Sequence, residues 1–175
     1  MRRAGDRGVV LVVVLILLVV IGLTASAAMR GAITQEKVVN NLRLEFSAQT
    51  QAEYALRFCE AELLKESSSR VSELQGVESL PERTLSTLKW GQPSAWTAPQ
   101  GSSPAWAFYE LAATDIDANG APRPQCLVER LNMGGAGDKT LVVTVRGFSP
   151  GYQPGSSNPD QSGSTVWLQS FLYFN

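Results

Sequence analysis

The sequence predicts an α+β fold in which a long N-terminal helix packs on a C-terminal antiparallel sheet of about four strands. Three observations predict it. Residues 9–28 are an apolar run without a charge, residues 32–65 contain neither proline nor glycine, and four strand-like segments lie between residues 106 and 174. This order, one helix and then consecutive strands, is typical of a helix that covers one face of an antiparallel sheet.

The apolar run has the length of a membrane-spanning helix. At about 1.5 Å per residue, some twenty residues span roughly 30 Å, which is the thickness of the hydrocarbon core of a bilayer. Arg2, Arg3 and Arg7 precede the run, and positively charged flanks stay on the cytoplasmic side. We therefore expect residues 1–8 to face the cytoplasm and the chain after Arg30 to be exported.

Three interpretations of this segment are open from the residues alone. It is a permanent anchor, or it is a secretory signal with Ala25, Ser26 and Ala27 as a small-residue cleavage site. In the third interpretation a leader is cut after Gly8 and the apolar helix stays on the mature chain.

The next segment, residues 31–65, predicts an amphipathic helix. Apolar and small residues recur there at spacings of three or four: Val38, Leu42, Phe46, Gln49, Ala52, Leu56, Cys59 and Leu63. If Gly31 does not break the helix, more than about fifty residues form one helix, against an average of about 11–12. Ala48, Ala52 and Ala55 are small enough to let a sheet or another helix lie close.

Residues 66–105 are rich in Ser, Pro, Gly and Gln and predict a loop region. Within it, residues 82–89 predict one short helix. Trp90 and Trp96 predict an ordered loop, because tryptophans in a connection usually pack against the domain. The alternative is an exposed aromatic surface that binds a ligand.

The C-terminal part, residues 106–175, predicts the sheet, with strands at 106–111, 126–131, 140–148 and 165–174. In the last strand Val166, Leu168, Leu172 and Phe174 alternate with Trp167, Gln169, Phe171 and Tyr173. This period of two predicts one face toward the core and one face away from it.

Composition argues against several classes of function. The chain of 175 residues has a net charge of −1 and no basic stripe, so a nucleic-acid partner is not predicted. It contains no histidine, which removes Ser-His-Asp and Cys-His nucleophile systems and the ordinary zinc site. We predict that the protein is not an enzyme.

The two cysteines, Cys59 and Cys126, belong to the part of the chain that we expect to be exported. A disulfide persists in such an oxidising compartment, and two thiols allow only one intramolecular pairing. We therefore predict a Cys59–Cys126 disulfide, with two free or packed thiols as the alternative.

One segment predicts a candidate metal site. Asp115, Asp117 and Asn119, followed by Gly120, reproduce the first half of a calcium-binding loop. The second half does not follow the pattern, because Cys126 occupies the position of the closing glutamate. Calcium is thus the one cofactor considered, and a solvated turn between strands needs the same residues.

The N-terminal residues also resemble a known family. RGVVLVVVLILL at residues 7–18 looks like the leader and first helix of a type IV pilin, and residues 36–60 resemble the N-terminal signature of PilX-type minor pilins. Residues 141–147 and 165–170 are similar to the last two strands of that family. The resemblance implies a type IV pilin-like fold with a leader (1–8), a transmembrane and fibre-core helix (9–30) and a periplasmic domain (31–175).

The resemblance also implies how the chain is processed, where it is located and what it contacts. Prepilin peptidase would cut between Gly8 and Val9, and the new amine of Val9 would be N-methylated. Before assembly the chain would be embedded in the bacterial inner membrane, and it would then enter the pilus fibre at its tip. Its partners would be other minor pilins, the major pilin and a large tip protein, and its role would be to help start pilus assembly.

One position departs from the major pilins, which carry a glutamate at the fifth mature residue where this chain has Val13. PilX-type pilins often lack that glutamate, so the departure agrees with the resemblance. Two alternatives stay open: a pilus-tip adhesin or DNA-binding minor pilin, and a pseudopilin of type II secretion.

Overall fold

The structure, a computed structural model, describes residues 6–96, 106–112, 120–133, 139–153 and 163–174. The chain divides into two compact units, residues 1–42 and residues 43–175. The described part of the first unit is helical throughout. The second unit contains the rest of this helix and all the described strands.

The helix, α1, runs without interruption from Asp6–Leu63, over 58 residues. Its backbone continues through Gly22 and Gly31, so the prediction of one long helix is confirmed. Its first part is apolar and long enough, by length and composition, to cross a membrane.

Within the second unit, α1 buries a face made mostly of small side chains. The buried residues are Ala48, Gln51, Ala52, Ala55, Cys59, Glu62 and Leu63. The predicted stripe is therefore only partly right: Ala52, Cys59 and Leu63 are buried, but Val38, Leu42, Phe46 and Gln49 are exposed. The alanines make the buried face because they let a backbone approach α1 closely, which the larger side chains of the predicted stripe would prevent.

The connection after α1 is built from short 3₁₀ turns, at Ser67–Ser69, Ser72–Leu74, Val77–Ser79, Leu85–Thr87 and Pro93–Trp96. The short helix predicted at residues 82–89 is wrong. Glu82–Arg83 forms a two-residue strand, β1, and the chain then turns at Leu85–Thr87. Thr84 and Thr87 favour that turn, because the Thr87 hydroxyl accepts a hydrogen bond from the Thr84 backbone N–H at 2.9 Å.

The sheet has five described strands: β1, β2 (Ala107–Glu110), β3 (Gln125–Leu131), β4 (Lys139–Phe148) and β5 (Thr165–Phe174). Their order is β1-β3-β4-β5, and β2 pairs with the same strand as β1, β3. The four predicted strands thus exist, with β3, β4 and β5 antiparallel as expected. The sheet is nevertheless mixed and not purely antiparallel, because β1 pairs with β3 in parallel.

The core lies between α1 and the inner face of the sheet. Val128, Leu141, Val143 and Val145 form one buried cluster with Ala52, Ala55, Cys59 and Leu63 of α1. Val166, Leu168, Leu172 and Phe174 of β5 pack against this cluster, as their alternation predicted. The sheet and α1 approach each other closely at Gly147, where an added Cβ would overlap the Ala48 carbonyl oxygen and the Ala52 backbone.

Candidate functional site

The first candidate is the apolar surface of α1 between Val10 and Met29. The large hydrophobic side chains of this segment are all exposed, and none of the residues is charged. An apolar surface of this size is unfavourable in water, and the segment has the length and composition of a membrane-spanning helix.

Several residues of this apolar surface are small. Gly22 is one of them, and an added Cβ there would meet nothing within 4 Å. Ala25, Ala27 and Ala28 follow it. Small side chains let the backbones of two helices in a membrane approach closely, so this part of α1 is suited to helix packing by van der Waals contact.

The predicted processing site lies at the start of α1. The backbone of Gly8 and Val9 is helical, and the Val9 side chain lies outside the described ones. Val13 is 49% exposed on the apolar surface. Cleavage after Gly8 and methylation of Val9 stay predictions.

The disulfide joins α1 to the sheet. Cys59 and Cys126 are bonded, with their Cα atoms 6.7 Å apart, and both residues are fully buried. The bond closes a loop with a sequence separation of 67 residues. It therefore ties the second unit's helix to β3 across the whole connection between them.

A group of charged side chains fixes the end of α1. The buried Glu62 carboxylate pairs with Lys65 and accepts a hydrogen bond from the Val71 backbone N–H at 3.1 Å. Arg70 donates to the Leu63 carbonyl oxygen at 2.8 Å, which satisfies one of the unpaired carbonyls that every helix leaves at its end. Burial by itself would raise the pKa of Glu62, but the bonds from Lys65 and Val71 outweigh it and lower the pKa.

A second buried carboxylate, Glu129, holds the loop that carries Trp90. Glu129 is 1% exposed, and it accepts backbone N–H bonds from Lys89 at 2.8 Å and from Trp90 at 3.2 Å. The Arg83 guanidinium lies 3.4 Å away. Burial nevertheless raises the pKa of Glu129, because these donors compensate only part of the lost hydration.

The loop places an aromatic group against the outer face of the sheet. The ring centroids of Trp90 and Trp96 lie 6.2 and 4.8 Å from that of Trp167 on β5, both in edge-on arrangements. Trp96 is 4% exposed and donates its indole N–H to the Trp90 carbonyl oxygen at 2.6 Å. Trp90 and Trp167 are 41% and 42% exposed. The prediction of an ordered loop is therefore right for Trp96, and Trp90 remains accessible.

Arg146 is held inside this aromatic group. Its guanidinium carbon lies 4.5 Å from the Trp96 ring centroid and 5.8 Å from that of Trp167, which are cation–π distances. Its Nε donates to Gln125 at 2.6 Å. These contacts hold the Arg146 side chain in place beside Trp96 and Trp167.

Beside the tryptophans lies a cavity of about 180 Å³, which we call the tryptophan cleft. It is lined by Trp90, Thr144, Trp167, Leu168 and Gln169. All five are uncharged, and the Gln169 amide and the Thr144 hydroxyl are hydrogen-bonded at 2.9 Å. The cleft is therefore a concave aromatic site with neutral polar groups.

The candidate calcium residues Asp115, Asp117 and Asn119 lie outside the described residues, so calcium binding stays a prediction. Three residues that shape the sites had no predicted role: Gly147, Glu129 and Arg146. The sequence does contain a signal for each of them. Gly147 is a glycine inside an apolar strand, which indicates close backbone approach. Glu129 and Arg146 are charged residues inside strands whose other residues are typical of a buried strand.

Residues 7–57 match the family model described as PilX N-terminal. The matched segment contains Gly8, the apolar run and most of the remaining part of α1, which confirms the N-terminal part of the resemblance noted from the sequence. The match covers 51 of the 175 residues, and the sheet lies outside it. No curated protein and no solved structure matches the chain.

Proposed function

We propose that this protein is a minor pilin that helps to initiate type IV pilus assembly; the match of residues 7–57 to the PilX N-terminal family model supports this role. In this role it is a structural subunit without catalysis. Before assembly it is embedded in the inner membrane with its globular domain in the periplasm. It then becomes part of a priming complex at the pilus tip. Its partners are other minor pilins, the major pilin and a large tip protein.

The observation that carries the proposal is the exposed, uncharged surface of α1 between Val10 and Met29 on a helix that continues into a folded domain. A simple anchor requires no continuation of the spanning helix. A subunit that exchanges lipid for the helices of neighbouring subunits requires an apolar helix surface that stays attached to its folded domain.

Val13 supports a position at the tip. A carboxylate inside an apolar helical bundle is tolerated when it is paired, and in major pilins it is thought to pair with the N-terminal amine of the subunit ahead. A chain with Val13 lacks that link to a subunit ahead, and it needs none if it is the foremost subunit.

Labelling of pili with antibodies against the globular domain tests this position. We expect label at one end of each fibre, and fewer pili on cells that lack the protein. Val13→Glu should leave pilus number unchanged, because no subunit lies ahead of a tip subunit. Even labelling along the shafts would contradict the tip position.

A second candidate role is adhesion by the tip, which the accessible Trp90 and Trp167 favour. An adhesin and an assembly subunit differ in a simple measurement. Substitution of the accessible tryptophans should reduce attachment of piliated cells and leave pilus number unchanged if the surface is adhesive, whereas an assembly surface would lower pilus number.

A further inference from the structure

We propose that the tryptophan cleft binds one pyranose ring of a neutral glycan. The proposal concerns the domain in residues 43–175 and does not depend on the role in pilus assembly. It rests on three properties of the cleft: two accessible tryptophan rings, an uncharged polar pair on its wall, and a loop that is held in place from beneath.

The tryptophans provide the stacking surface. Trp90 and Trp167 are both about two-fifths exposed and meet at an interplanar angle of 64°, so they form two walls of a corner. The C–H faces of a pyranose ring are apolar, and the flat face of an indole gives them a large contact area at a small cost in conformational entropy.

The polar pair provides the hydrogen bonds. In the Gln169–Thr144 hydrogen bond, the side-chain amide of Gln169 donates one N–H to the Thr144 hydroxyl oxygen. Whichever way the amide is turned, the pair retains one donor and one acceptor for a ligand. Sugar hydroxyls are donors and acceptors at once and match such a pair, whereas the proline residues of a proline-rich peptide offer carbonyl acceptors without N–H donors.

The charge of the cleft selects a neutral ligand. None of its five lining residues is ionisable, and the nearby Arg146 guanidinium is stacked on Trp96 and bonded to Gln125. A neutral sugar gives up no charge hydration on entering this aromatic corner, whereas an anionic sugar would.

The volume of the cleft limits the part of the glycan that it holds to one ring. The cavity of about 180 Å³ holds the liquid volume of roughly six water molecules and is smaller than the roughly 300–1,000 Å³ of sites for drug-sized ligands. The cleft is also preorganised, because the buried Glu129 carboxylate fixes the backbone of Lys89 and Trp90. Preorganisation lowers the entropy cost of binding.

The test is saccharide binding to the full chain in a detergent without a sugar headgroup. The probes are the methyl pyranosides of glucose, galactose, mannose and N-acetylglucosamine, followed by tryptophan fluorescence and by saturation transfer from protein to ligand protons. We expect at least one of them to bind with millimolar affinity, with transfer strongest at the ring C–H protons. A proline-rich peptide is the comparison ligand.

Variants locate the binding. Trp90→Leu and Trp167→Leu keep apolar volume but remove the flat rings, and each should weaken binding about tenfold or more. The control is Phe171→Leu, which changes an exposed aromatic residue on the same face of β5 outside the cleft and should leave affinity unchanged. Near-UV circular dichroism and thermal unfolding establish that each variant is folded.

Three results would overturn the proposal. They are the absence of binding by all four pyranosides, binding that survives both tryptophan substitutions in folded protein, and binding of the peptide without any sugar. Loss of pilus assembly in a strain without the protein has no bearing on these results, so the two proposals fail separately.

Discussion

The two parts of α1 bury their side chains in opposite ways. Before Leu42 the helix carries large apolar residues that are exposed, whereas from Ala48 onward it buries alanines against the sheet. Large side chains give a helix surface for lipid or neighbouring helices, and small ones let a sheet approach its backbone. One continuous helix thus serves two environments, and its residue sizes indicate which part belongs to which.

The largest expected effect concerns the bond that holds the second part of α1 to the sheet. Cys59→Ser should lower the free energy of unfolding by about 2–5 kcal/mol, because the unfolded chain loses a cross-link over a long loop. The measurement is thermal or urea unfolding of the chain in detergent, with and without reductant. Reductant should destabilise the wild type and leave the variant unchanged; equal stability of both proteins would contradict the cross-link.

The next effect compares a glycine in each part of the molecule. Gly147→Ala places a Cβ against the Ala48 carbonyl oxygen and the Ala52 backbone and should cost about 1–3 kcal/mol through overpacking. Gly22→Ala is the matched control, because its Cβ would meet nothing within 4 Å, so unfolding of the domain should be unaffected. Equal effects of the two substitutions would show that α1 does not pack on β4 as described.

Truncation of exposed and buried helix residues sharpens the same comparison. Leu42→Ala removes an exposed side chain and should change domain stability by no more than about 0.5 kcal/mol. Leu63→Ala removes a fully buried one and should cost about 2–5 kcal/mol when unfolding is followed by circular dichroism. If Leu42→Ala were as destabilising as Leu63→Ala, the difference between the two parts of α1 would be lost.

The smallest effects are those of pH on the two buried glutamates. The lowered pKa of Glu62 means that its stabilisation is complete above 4.5, the ordinary pKa of a glutamate, and is lost as pH falls through its folded pKa. The raised pKa of Glu129 acts in reverse: stability falls as pH rises from 4.5 through its folded pKa, because the folded state then gives up a proton that it holds more tightly.

Glutamine substitutions separate these two contributions in unfolding curves taken from pH 4 to pH 8. Relative to the wild type, Glu62→Gln should lose most stability near neutral pH and less in acid. Stability of Glu129→Gln should fall less steeply than that of the wild type as pH rises. Parallel curves for all three proteins would contradict both pKa directions.

The sequence predicted the elements whose pattern is long. The apolar run at 9–28 and the segment at 32–65 without proline or glycine predicted α1, and alternation predicted the two sets of residues on opposite faces of β5. The sequence predicted the face of α1 that meets the sheet only in part: Ala48, Ala52 and Ala55 were expected to allow close approach, but Leu42 and Phe46 were placed on the same stripe. Large apolar residues weigh more than alanines in a periodic pattern, although alanines are what lets β4 approach. Strand β1 was missed since a pair of residues has no period.

The site was predicted less completely than the fold. Cys59 and Cys126 were the only possible pair, and the accessible Trp90 was one of two alternatives for its loop. The contacts that shape the tryptophan cleft join Trp90 to Glu129 and Trp96 to Trp167. Such pairs are distant in the chain, and no local pattern in a single sequence specifies them.

The mass of the mature protein tests most directly whether α1 is a pilin helix. Purified from the membrane and from sheared pili, the chain should begin at Val9 and carry one methyl group on its N-terminal amine. A chain beginning at Ala28 would be a secreted domain without its apolar helix, and one that retains Met1 in both fractions would be an unprocessed anchor. Either result would contradict the proposed role in the pilus.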